Sequence, residues 1–190
     1  MLKKLYLVGL ISSISFTGFA QTPMVHYQYK TSEIKLSLGP SWKLADRKNE
    51  GAINVTGYIP TNEKRKFYSK MIAVGKIKKV AEQAAQQIAL FDSHKKAYLV
   101  KHQCKITNLS HSKFSNFKAK SVTAFDYQCK KLNISGIDIT LNADDPASIY
   151  NIIYEYRTNE LTAPQKTKAM KILGHMEICY DNNPKCASQA

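Results

Sequence analysis

The sequence predicts an α+β domain, a mostly antiparallel β-sheet flanked by helices. Three observations carry that expectation. Apolar and polar residues alternate in several short runs, as in Ile34, Leu36 and Leu38 set against Glu33, Lys35 and Ser37. The period becomes helical in two separate places, over residues 79–92 and again after Thr162. The order is therefore strands, helix, strands, helix, a segregated arrangement rather than a strict β-α alternation.

The chain opens MLKKLYLVGLISSISFTGFAQTP. Lys3 and Lys4 form a short positive region, an apolar core follows, and Gly18 and Ala20 are small enough for signal peptidase, so cleavage is expected between Ala20 and Gln21. The apolar segment is short for a membrane span of about 20 residues and no stop-transfer flank follows. The expected division is a signal peptide over residues 1–20 and one domain over residues 21–190, exported to the periplasm or beyond the cell. Without the leader the formal charge falls from +14 to +12, because Lys3 and Lys4 leave with it. A charge of that size draws a protein toward anionic surfaces such as lipid headgroups, acidic polysaccharide or nucleic acid, without naming one.

After the first alternating run, Gly39-Pro40 makes a turn and Trp42 and Leu44 continue beyond it. Residues 46–51, DRKNEG, read as a polar turn. Ile53 and Val55 lead a second strand to Tyr58-Ile59-Pro60, where the missing amide of Pro60 ends the pairing. Residues 71–77 are a third strand. In the helix over residues 79–92, Val80, Ala84, Ile88 and Phe91 form the packing face. A Lys-rich join then leads to two long strands: YLVKHQCKI, with Tyr98, Val100, Cys104 and Ile106 on one face, and VTAFDYQC, with Phe125, Tyr127 and Cys129 on one face. Beyond them Leu132 and Ile134 have one parity while Ile137, Ile139 and Leu141 have the other, so Ser135-Gly136 suggests a bulge. ADDP, residues 143–146, is a solvated turn. IYNIIYEYR is apolar almost throughout and belongs at the centre of the sheet with both faces covered. Thr162 and Gln165 have the spacing of a capping box, and Ala169, Ile172, Leu173 and Met176 give the last helix its packing face.

Four cysteines, Cys104, Cys129, Cys179 and Cys186, behind a signal peptide read as two disulfides, with three pairings open. Antiparallel pairing of the two long strands favours Cys104–Cys129, although a one-residue slip would turn one sulfur to the other side. CYDNNPKC then closes a local Cys179–Cys186 clasp over turn-forming residues.

Gly39-Pro40-Ser41-Trp42, Tyr58-Ile59-Pro60, the approach through Glu63, Phe67 and Tyr68, the Tyr-rich IYNIIYEYR and a C-terminal helix together resemble the PsbP-like family. That α/β/α sandwich is shared by a photosystem accessory subunit, a Ran-binding nuclear import factor and small exported bacterial proteins, some resembling type II secretion substrates. A Trp common in the family where this chain has Phe67 or Tyr68 is absent. The resemblance implies a non-enzymatic binding or accessory domain and transfers no functional residue. Within it, Phe67 and Tyr68 are expected to cover the sheet, and Lys64, Arg65 and Lys66 to be a solvated bend, so nucleic-acid binding is not expected.

Catalytic and metal chemistry find little footing. His175 and Cys179 stand four apart, and a strand cysteine could join them around zinc or act as a thiol nucleophile, but export favours disulfides and no CxxC or HxxxH pair is present. No glycine-rich phosphate loop or GxSxG elbow appears. No cofactor is expected. The candidate binding element is the connection between the long strands, where Lys113, Phe114, Phe117, Lys118 and Lys120 either present two rings and three ammonium groups to a partner or fold the rings back onto the sheet. The expected activity is binding to a partner protein or an anionic surface, lipid headgroup or acidic polysaccharide; a type II secreted effector is a special case. The competing classes are a Cys/His enzyme or metal protein and a structural subunit of an envelope complex.

Overall fold

The structure, a computed structural model, describes residues 32–180. The expected leader and Cys186 lie outside these residues. The described chain is α+β: a seven-stranded antiparallel sheet and a separate two-stranded one, with helices against them. Its elements are β1 (Ser32–Lys35), β2 (Trp42–Glu50), β3 (Ile53–Pro60), β4 (Lys70–Lys78), α1 (Ala84–Lys101), β5 (Lys105–Asn108), β6 (Ser121–Cys129), β7 (Ile134–Asn142), β8 (Ser148–Tyr156), α2 (Ala163–Gly174) and β9 (Glu177–Tyr180). The large sheet runs β2-β3-β4-β8-β7-β6-β5, and β1 pairs β9. Among the described residues no helix is long and apolar enough to cross a membrane.

β8 lies between β4 and β7 and is buried along its whole length, which matches its nearly continuous apolar sequence. Alternation splits the sheet into two faces. One carries Ile72, Ile137, Ile139, Ile152 and Tyr154 and packs on α2 through Ala169 and Leu173. The other carries Phe125, Tyr127 and Cys129 against Leu99 of α1, and Met71, Ala73 and Ile153 against Tyr68. α2 begins with the expected capping box: the Gln165 amide N–H reaches the Thr162 hydroxyl at 3.4 Å, and the Thr162 N–H donates to Gln165 Oε1 at 2.9 Å.

Three local expectations are corrected. Residues 98–101 are not strand but the last turn of α1, which stops in a Schellman arrangement. Gln103 adopts φ 58, its N–H donates to Val100 O at 2.8 Å, and the Cys104 N–H donates to Leu99 O at 2.9 Å. Residues 46–50 are not turn but the second half of β2. This edge strand pairs on one side only, so polar side chains cost it little, and the turn is left to Gly51 at φ 63. Ser135-Gly136 makes no bulge, since β7 pairs both neighbours without a register shift. Gly136 is small for another reason: a Cβ there would stand 2.8 Å from the Tyr127 hydroxyl. The shift in the sheet falls instead between Leu44 and Asp46.

Candidate functional site

The expected binding connection, residues 111–120, contains a 3-10 segment, His111–Phe117, kinked at Phe114. Phe114 and Phe117 are 1% and 0% exposed and belong to the α2-side core, so the reading in which the rings stand out for a partner is overturned. The cause is spacing: three residues make one 3-10 turn, which brings both rings to the same side. Asn116 locks that side down, its amide donating to the carbonyls of Leu173 and Met176 at 3.2 and 2.6 Å, where α2 has run out of intrahelical donors. Lys113, Lys118 and Lys120 remain exposed, and Lys120 Nζ lies 3.3 Å from Asp144.

A second aromatic-cationic segment, between β3 and β4, has the opposite outcome. The Glu63 carboxylate accepts from both the Ser69 N–H and the Ser69 hydroxyl at 2.6 Å, closing residues 63–69 into a finger. Inside it a tight turn joins the Phe67 N–H to Lys64 O at 2.8 Å, and Arg65 ion-pairs with Asp46 of β2. Tyr68 points inward and is 5% exposed, packed with Ile59, Met71 and Ile153. Phe67 is 70% exposed, with Lys66 Nζ 5.4 Å from its ring centroid. The expectation that both rings cover the sheet thus holds for Tyr68 and fails for Phe67. Lys43, bonded to Thr61 O at 2.7 Å, and Arg157, stacked 4.0 Å from the Tyr68 ring centroid, complete a cationic rim.

Beneath the finger and α1 the sheet carries a polar centre that pattern reading missed. Glu155 of β8 accepts from the Tyr127 hydroxyl at 3.1 Å and lies 3.5 Å from that of Tyr68. Burial pushes its carboxyl up to about 7, against the opposing pull of Tyr127, Arg157 and Tyr68. Tyr127, wholly buried beside Glu155, is pushed well above the ordinary phenol value, chiefly by loss of water. On the neighbouring strand β7, Asp138 and Thr140 accept from Lys95 of α1 at 2.5 and 3.1 Å, with Asp92 3.5 Å from the same ammonium. Thr123 and Thr140 donate to Asp92, and Asn151 donates to Asp138 at 2.7 Å. Burial raises Asp138, while the Lys95 ammonium pulls the other way. The signal for this centre was present: Asp92 and Lys95 interrupt the helical stripe of Ile88 and Leu99, and Asp138 lies between Ile137 and Ile139 in a strand buried on both faces.

The remaining candidates take ordinary places. Cys104 and Cys129 form a disulfide with Cα atoms 4.2 Å apart, in line with the β5–β6 register that pairs Lys105 with Gln128. Cys179 is buried on β9 and disulfide-bonded; its expected partner Cys186 is outside the described residues. His175, exposed, meets Lys171 O at 2.6 Å through Nδ1. Asp144 is exposed as expected of a turn, but Asp145 is 1% exposed, accepts from the Ser32 hydroxyl and ties β1 to the β7–β8 connection. Among the described residues no group of three His, Cys, Asp or Glu side chains is arranged to hold a metal ion.

A comparison with protein-family models finds none that matches the chain, and a search of the curated proteins finds no match either.

Proposed function

We propose that the chain is an exported binding or accessory protein that acts by docking on a partner protein or an anionic surface rather than by catalysis. The observation that carries this reading is the finger of residues 63–69, where an aromatic ring stands 70% exposed among Lys64, Arg65 and Lys66 on a closed, anchored loop. Exposed aromatic and cationic groups held in a fixed geometry are what a recognition surface needs, because little freedom is lost when the partner arrives. The buried acids are turned to other work: Glu155 faces two tyrosine hydroxyls, and Asp92 and Asp138 share Lys95. The sulfurs of Cys104 and Cys129 are joined, which removes both from thiol or zinc chemistry. The leader-like opening and the resemblance to PsbP-like exported bacterial proteins support export, with secretion through a type II system as a special case.

Retention of the purified protein on an immobilised anionic matrix such as heparin tests this. Retention should be strong at low salt and fall steeply as salt rises. It should also weaken when Lys64, Arg65 and Lys66 are changed together to Gln. Flow-through at low salt would overturn docking on an anionic surface and leave a partner protein as the target.

A further inference from the structure

We propose that the finger of residues 63–69 docks on an anionic lipid bilayer, with Phe67 entering the interface as an apolar wedge and Lys64 and Lys66 meeting the phosphate headgroups. This rests on the reading of the chain as an exported binder and commits it to one surface.

Shape comes first. The Glu63–Ser69 bonds and the Lys64–Phe67 turn close the finger, and Tyr68 plugs its base into the sheet. Because Phe67 and Tyr68 are adjacent, the packing that draws one ring in turns the other out. A ring exposed before docking and transferred to acyl chains afterwards gains apolar burial without remodelling the fold. Charge comes second. Arg65 leans back on Asp46, so Lys64 and Lys66 flank the ring as outward ammonium groups, and Lys66 already sits over it. Glu63 of the finger and Asp46, which holds Arg65, are both engaged within the protein. The finger itself therefore offers an anionic headgroup layer cations and no free acid.

The single ring decides between anionic surfaces. A single-stranded nucleic acid is gripped by successive stacked bases, which needs more than one exposed ring. Here Tyr68 is turned inward, and Trp42 packs edge-on to Tyr154 on the other sheet face. Acidic polysaccharide answers the lysines but offers no apolar phase for Phe67. Of these anionic surfaces a bilayer alone uses both features.

Co-sedimentation of the purified protein with vesicles of phosphatidylcholine, alone or mixed with phosphatidylglycerol, tests the proposal. The protein should pellet with the anionic vesicles and stay in solution with neutral ones. Phe67→Ser should weaken binding about tenfold, the loss of one ring's transfer from water. Lys64→Gln with Lys66→Gln should weaken it by at least about tenfold. Lys113→Gln with Lys118→Gln, on a segment tied to the opposite end of the sheet, should matter much less. Matching thermal midpoints verify that each variant folds, and in Phe67→Trp the added emission should shift to the blue on anionic vesicles only. Anionic vesicle binding indifferent to Phe67→Ser overturns the proposal. So does retention on heparin with no vesicle binding, which leaves docking on an anionic surface standing; failure on both surfaces removes the two together.

Discussion

Residues 111–120 and residues 63–69 each place two aromatic rings beside three cations, yet the first segment buries both rings and the second buries Tyr68 and holds Phe67 in solvent. Composition does not separate them; spacing does. Phe114 and Phe117 are three apart across a 3-10 turn, so one anchoring contact serves both, and Asn116 between them caps α2. Phe67 and Tyr68 are neighbours in a turn that cannot continue as helix, so their side chains diverge. The first segment is a lid for the α2 face of the sheet. The second is a lid for the α1 face that also carries an outward feature.

The largest effect that would break this comparison is in the first segment. Phe117→Ala should cost about 3–5 kcal/mol, the range for removing a fully buried ring when the surrounding core relaxes only in part. Chemical denaturation would measure it as a drop in midpoint at unchanged slope. A loss below about 1 kcal/mol would mean that the ring is dispensable and the two segments are less different than their burial says.

Beneath the second segment the expected effect depends on pH. Glu155 has its folded value raised from 4.5 to about 7, so between those values the folded protein holds a proton that the unfolded chain has lost. The sign follows. Stability is greatest below about 4.5 for this group and declines as pH rises toward 7, and above 7 the full cost of keeping a buried carboxylate remains, on the order of 3 kcal/mol. Glu155→Gln should flatten the decline in thermal midpoint between pH 5 and pH 8. An unchanged slope in that variant would show that Glu155 carries no such penalty and would move attention to Asp138, raised by the same loss of water.

Glu63→Ala sharpens the comparison at lower cost. It removes the acceptor for Ser69 and opens the finger, and should destabilise by about 1 kcal/mol, as for a partly exposed bond to a charged group. Hydrogen exchange should quicken at Phe67, whose amide closes the inner turn, and not at Phe117.

Much of the scaffold was legible because its signals are local. β3, β4 and β8 follow from alternation or apolar runs, and α2 from Thr162 and Gln165. The Cys104–Cys129 bridge follows from two runs joined by a short connection. What was hidden depends on partners distant in sequence. The extension of α1 to Lys101 needs Gln103 in a left-handed conformation, which composition does not announce. It also needs Lys95 to lie inside, which is acceptable only because Asp138 and Thr140, more than forty residues away, meet it there. The polar second half of β2 becomes strand because β3 offers a ladder, not because those residues prefer one. The finger was hidden for a simpler reason: KRKFY gives no sign of which ring faces in until β3 and β8 have placed Ile59 and Ile153 under Tyr68.

The smallest expected effect is the most diagnostic. Phe67→Ser should change stability by less than about 0.5 kcal/mol, since the ring is nearly as exposed in the folded chain as in the unfolded one and its contact with Lys66 is a solvent-facing cation-π pair. Natural surfaces tolerate lone apolar side chains, so neutrality alone would not make Phe67 functional. Its weight comes from the pairing of two results on one variant, unchanged thermal unfolding with a large loss of surface binding. A stability loss above about 1 kcal/mol would place the ring in the core with Tyr68, make residues 63–69 a second version of residues 111–120, and leave the cations without an apolar partner to guide.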